Sequence, residues 1–126
     1  MLIKEFAEKY NLHDSGIEKI FYDAEHKKLV LTIEFCFWMQ NWYVECEPSN
    51  GKISVTFENV SLFEHDENIS DRIFSEELDS EIYSADIDDD GNFVIFSVDT
   101  ACDEIYWQLK IKSKNVEVVE LERYDL

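Results

Sequence analysis

A chain of 126 residues in which 29 Asp and Glu stand against 11 Lys and Arg carries a formal net charge of −18, and 45% of its residues are hydrophobic. The length suits a single domain able to bury roughly two-thirds of its unfolded surface. Nine Phe, six Tyr and three Trp exclude a disordered acidic tail, and the charge repels nucleic acid and anionic membranes.

The opening Met1-Leu2-Ile3-Lys4-Glu5-Phe6 lacks the apolar run of a secretory signal. The longest uncharged aromatic run, Phe35 to Val44, is too short to span a bilayer, so a cytoplasmic protein is expected. Cys36, Cys46 and Cys102 are odd in number and form no C-x-x-C pair. They read as small buried apolar residues, because thiolate chemistry needs positive charge that this chain scarcely has.

Leu2, Ile3, Phe6, Ala7 and Tyr10 recur at helical spacing, predicting one short amphipathic helix that stops at Asn11. After Gly16 the period becomes two. Strands are expected over Ile17 to Tyr22 and Leu29 to Phe37, joined by the polar turn Asp23 to Lys28. Trp42 to Glu47 reads as a strand facing Lys52 to Phe57 across the break Pro48-Ser49-Asn50-Gly51. A short strand is expected over Val60 to Phe63, followed by an irregular stretch from Glu64 to Asp79. Four strands close the chain: Glu81 to Asp88, Asn92 to Val98, Glu104 to Lys112 and Val116 to Arg123. Turns at Asp89-Asp90-Gly91, Ala101 to Asp103 and Ser113 to Asn115 would make these four successive antiparallel neighbours.

With three Gly and one Pro there is no visible linker. The expected architecture is a single mainly β domain, residues 1–126, of about eight antiparallel strands with one N-terminal helix. A two-sheet sandwich is preferred, with a strongly curved sheet as the other form and a small ligand-holding barrel as a further possibility.

Chemistry is sparse. Asp86-Ile87-Asp88-Asp89-Asp90-Gly91 matches the first half of a calcium loop, with Asp86, Asp88 and Asp90 at ligand positions, but the closing Glu is replaced by Ser97. An Asp-Gly hairpin turn explains the run better, leaving at most weak calcium binding. His13, His26 and His65 form no metal pair, so neither cofactor nor resident metal is expected. His13-Asp14-Ser15 contains triad residue types, but consecutive residues do not align as nucleophile, base and orienter. With Gly16 to free the bend, these residues read as a structural joint between helix and strand.

Leu12-His13-Asp14-Ser15, followed by Ile17, Ile20 and the Leu29-Leu31-Ile33 strand, resembles the opening of small bacterial immunity proteins of polymorphic toxin systems and their uncharacterised relatives. Lys52 to Val60, with Val55, Phe57 and Val60, is similar to their next strand pair. The resemblance covers about the first half of the chain. It implies a cytoplasmic β-rich protein that binds a cognate toxin, and it brings no catalytic residues.

Charge distribution supplies the remaining clue. Between Glu58 and Asp90 thirteen acidic residues accompany one base, Arg72, giving the stretch a formal −12. A field of this sign steers basic partners. The expectation is a non-catalytic inhibitor of a basic toxin such as a nuclease, using Glu76, Glu77, Asp79, Glu81, Asp86 and Asp88 for charge. Trp38 and Trp42 would act as aromatic anchors, although aromatics in strands are usually core. A small-molecule-binding barrel, or an enzyme built on one, is the alternative.

Overall fold

A computed structural model describes residues 1–101 and 104–125. One helix, α1 (Ile3–Lys9), precedes eight strands: β1 (Gly16–Asp23), β2 (Lys28–Cys36), β3 (Asn50–Glu58), β4 (Leu62–His65), β5 (Ser80–Ile87), β6 (Phe93–Asp99), β7 (Ile105–Lys112) and β8 (Asn115–Tyr124). All pair antiparallel in one open sheet ordered β4-β7-β6-β5-β1-β2-β3-β8.

Alternation sets the faces. Leu29, Leu31, Ile33 and Phe35 of β2 are buried, as are Ile53, Val55 and Phe57 of β3, while the residues between them face outward. The two halves of the sheet meet at a short β1–β5 ladder of two residue pairs, Gly16↔Glu81 and Ile17↔Ser80. With so short a ladder the sheet folds back on itself. Phe57 of β3 meets Phe93 of β6 at 6.2 Å between ring centroids, and Tyr22 of β1 meets Phe63 of β4 at 4.8 Å. The curved sheet therefore replaces the preferred two-sheet sandwich. It packs in layers like a sandwich, but β4 and β8 remain edges, so the barrel is not closed.

Helix α1 inserts Phe6 between the halves, with edge-on contacts to Phe57 at 5.9 Å and Phe93 at 5.5 Å. Burying such a ring contributes about 1.5–3 kcal/mol. Gln40, itself buried, ties the end of α1 to the segment after β2. Its Oε1 accepts the Asn11 N–H at 2.8 Å, and its Nε2 donates to the carbonyls of Asn11 and Cys36.

Three expectations about connectivity fail. Trp42 to Glu47 is a series of turns, and Asn50 and Gly51 belong to β3, whose partners are β2 and β8. The aromatic rings there pack inward as a loop plug, which periodicity alone does not distinguish from a strand. The Ser113 to Asn115 connection does not make β7 and β8 neighbours: β7 lies between β4 and β6, whereas the chain crosses to place β8 beside β3. The short strand begins at Leu62 instead of Val60, because the Val60 N–H is used by the Lys27 carbonyl. Cys102 and Asp103, in the expected Ala101 to Asp103 turn, lie outside the described residues.

Candidate functional site

Where β1 and β5 part after two residue pairs, the sheet opens a notch at one end. Both strands carry an irregularity beside it, at Glu18 between Ile17 and Lys19 and at Tyr83 between Ile82 and Ser84. Bulges of this kind re-aim side chains and sharpen local twist. The notch has a volume of about 410 Å³ and is lined by Asp14, Glu34, Cys36, Asp79, Glu81 and Tyr124, among others. Through Glu34 and Asp79 it continues into a second hollow of about 540 Å³ that adds Glu18, Lys19 and Glu76. Six carboxylates thus gather on one concave surface.

Asp14 and Ser15, at the end of the Leu12-His13-Asp14-Ser15 stretch, line one wall. Leu12 and Ser15 are buried, and the Ser15 Oγ accepts the Cys36 N–H at 3.3 Å. The Asp14 N–H donates to the Ile82 carbonyl and the Ile82 N–H to the Ser15 carbonyl, extending the thin β1–β5 junction. His13 Nδ1 lies 2.6 Å from the Tyr83 carbonyl and its Nε2 lies 3.5 Å from Asp14. The left-handed residue of this joint is Asp14, at φ 65°, rather than Gly16, which lies in β1. Asp is one of the few residues that adopts that conformation readily.

Like charges meet inside the notch. A side-chain hydrogen bond with Glu18, then partial desolvation and the Glu18 charge, raise the Glu34 carboxyl above its ordinary range. Lys52 compensates in part, with Nζ 3.0 Å from Glu18 and 3.9 Å from Glu122. Those partners raise the Lys52 pKa, led by the Glu18 hydrogen bond. Burial pushes the Cys36 thiol up, and the Asp14 and Glu34 charges add to it, so a nucleophilic thiolate is disfavoured. Cys36 is half-buried and Cys46 exposed, so the expected full burial does not hold for either.

Arg72 does not neutralise this surface. Its Nε pairs with the carboxylate of Asp99, which is fully buried, and its Nη2 donates to the Glu77 carbonyl at 2.9 Å. The base inside the acidic stretch therefore pins the 66–79 segment onto the end of β6.

The structure divides the expected acidic strip. Glu76, Asp79 and Glu81 line the notch system, and Glu77 is exposed beside Glu76. Asp86 lies apart, in a hollow shared with Lys9 and Gln40. Asp88 shapes the β5–β6 turn: its Oδ1 accepts the N–H groups of Asp90 and Asn92, both at 2.9 Å, and Gly91 supplies φ 81°. These bonds hold the Asp88 carboxyl below its usual range. Among the described residues no group of three or more His, Cys, Asp or Glu is placed to hold a metal: Asp86 lies within β5, opposite Val94, while Asp88 and Asp90 belong to the hairpin turn.

The two tryptophans separate as well. Trp38 is 51% exposed just beyond Cys36. Trp42 is partly buried, donates Nε1–H to the Lys9 carbonyl at 2.9 Å and packs on Tyr10, Phe35 and Phe37. Tyr83 and Tyr106 stack at 6.2 Å and are both exposed. Sequence reading missed Asp14 as an acidic contact, together with Glu18 and Glu34. The outward positions of Glu34 and Thr32 in an alternating strand are visible in the sequence, but the bulge that turns Glu18 toward Glu34 is not. No helix among the described residues is long and apolar enough to cross a membrane. No family model, curated protein or solved structure matches the chain.

Proposed function

We propose that this protein is a non-catalytic binding module whose acidic notch receives Lys and Arg side chains of a basic protein. The observation that carries the reading is the gathering of Asp14, Glu18, Glu34, Glu76, Asp79 and Glu81 on one concave surface with Lys19 and Lys52 as the nearby bases. A site where a neighbouring carboxylate raises a carboxyl's pKa, as Glu18 does for Glu34, gains when a cation enters, since the cation relieves the repulsion. Exposed Trp38, Tyr83 and Tyr106 are of the residue types that anchor interfaces, while the charge speeds encounter. An inhibitor of the immunity type, acting in the cytoplasm on a basic toxin such as a nuclease, fits this chemistry and the resemblance of the N-terminal half. Carboxylates of such an inhibitor would occupy the phosphate sites of the enzyme.

A tetra-arginine peptide titrated at low salt into ¹⁵N-labelled protein tests the site. The largest amide shift changes are expected around Asp14, Glu34, Asp79 and Glu81, and they should fade in high salt. Changes spread evenly over Glu64 to Asp90, or centred on Asp86 to Asp90, would contradict the notch as the cation site.

A further inference from the structure

The two edges of the sheet are treated differently. At the β4 edge the terminal strand has only four residues. Beyond it the exposed side of β7 is covered by side chains of the following segment: Asp66 Oδ2 accepts the Gln108 N–H at 2.8 Å, and Asn68 Nδ2 donates to the Tyr106 carbonyl at 2.8 Å. Short strands and side-chain covers are ordinary ways of blunting an edge.

At the other edge β8 runs for ten residues and pairs on one side only, with β3. Its start is covered, because the Val116 N–H donates to the Met1 carbonyl at 2.7 Å and the Val116 carbonyl accepts from the Met1 nitrogen at 2.9 Å. In an antiparallel ladder alternate residues point their backbone groups to opposite sides. Val116 points outward, so Val118 and Glu120 do too, up to the irregularity at Leu121, where Lys52 pairs with Glu122 and Ile53 with Glu120. Among the described residues nothing bonds to the outward groups of Val118 and Glu120.

From this asymmetry we infer that the Val118–Tyr124 edge of β8 is a docking strand for an extended, basic segment of another protein, which adds a ninth strand to the sheet. Main-chain hydrogen bonds would supply the contact, as in other strand-addition complexes. Charge selects the occupant. Glu117, Glu120 and Glu122 are exposed along the edge, and Arg123 is engaged with Glu47 and the Pro48 carbonyl. A second copy is refused, because two β8 edges side by side would oppose these acids in chains that each carry −18. A strand with alternating Lys or Arg meets no such penalty. Exposed Val119 and Leu121 offer apolar positions between the acids.

An open edge shows as alternating exchange along β8 before any ligand is added. Amide hydrogens of Val118 and Glu120 exchange quickly, while those of Glu117 and Val119, bonded to β3, are protected. Next, a seven-residue peptide alternating Lys and Val is titrated into labelled protein, beside the same peptide N-methylated at alternate residues. Shift changes along Val118 to Tyr124, slowed exchange at Val118 and Glu120, and loss of both with the methylated peptide are expected. Glu117→Lys with Glu120→Lys should weaken the unmodified peptide by about fivefold or more, consistent with charge pairs across strands. Protected Val118 and Glu120 amides in the free protein, equal binding of the methylated peptide, shift changes confined to the notch, or self-association through β8 would each overturn the inference.

Discussion

At the residue scale, the ion pair between Arg72 and Asp99 decides how the acidic segment is held. Arg72→Met leaves the fully buried Asp99 carboxylate without its cation and removes the donor to the Glu77 carbonyl. Breaking a buried pair from one side costs about 3–5 kcal/mol. Urea denaturation should show a loss of that size, and a double change, Arg72→Met with Asp99→Leu, should recover part of it. Glu34 gives a pH signature. Its folded pKa is raised above the unfolded value, so between the two the folded state binds more protons and stability falls as pH rises. Glu34→Gln should therefore remove that loss and leave the variant the more stable protein above the folded pKa, measured by thermal melts from pH 4 to 8. Asp88 has the opposite sign: its depressed pKa contributes stability above the unfolded value that disappears as pH falls through the folded one.

Packing is decided at the level of elements. Gly51 pairs with Arg123 of β8 and has no room for a side chain: a Cβ there would lie 2.8 Å from the Phe37 ring and closer still to the Glu122 carbonyl. Arg123 stacks over the same Phe37 ring at 4.0 Å, so the ring has little room to retreat. Gly51→Ala should cost about 1–3 kcal/mol, the usual range for overpacking, or spread β8 from β3. The aromatic loop gives a contrasting pair. Trp42→Ala removes rings and a hydrogen bond that hold α1 and should cost about 2 kcal/mol, below the range for fully buried Trp. Trp38→Ala should leave the melting temperature nearly unchanged, because half of that side chain is in water.

Elements also show how far a sequence carries. The terminal helix, the alternation in β2 and β3 and the Asp-Gly turn were legible because each is written in local period or turn chemistry. Three features were not. The loop plug around Trp42 has the composition of a strand, and the crossover from β7 to β8 depends on which distant face is still uncovered. The notch arises from the parting of β1 and β5 and from bulges, which no spacing announces. Of the acids expected to act together, Glu76, Asp79 and Glu81 do gather, because they flank the start of β5. Asp86 and Asp88 sit at its other end, a strand length away.

For the molecule as a whole, charge is both a constraint and a signal. At −18 the chain repels itself, so added salt should raise its melting temperature until screening is complete within a few tenths molar. Charge reversal should act on stability and on binding in opposite directions: Lys at notch positions relieves repulsion in the free protein and destroys the surface that a basic partner needs. Spreading acids over the whole surface would serve solubility equally well. The gathering of six of them at one concave junction of the sheet is what supports the proposed basic partner. The most direct test is a parallel capture from the lysate of the native host at low ionic strength, with three baits: the unaltered protein, Glu76→Lys/Asp79→Lys/Glu81→Lys, and a remote control carrying Asp86→Lys/Asp88→Lys/Asp89→Lys. One basic protein should be retained by the unaltered and remote-control baits, released by salt, and absent from the notch variant. Retention of the same proteins by all three baits, or loss from the remote control alone, would contradict the notch as the partner's site.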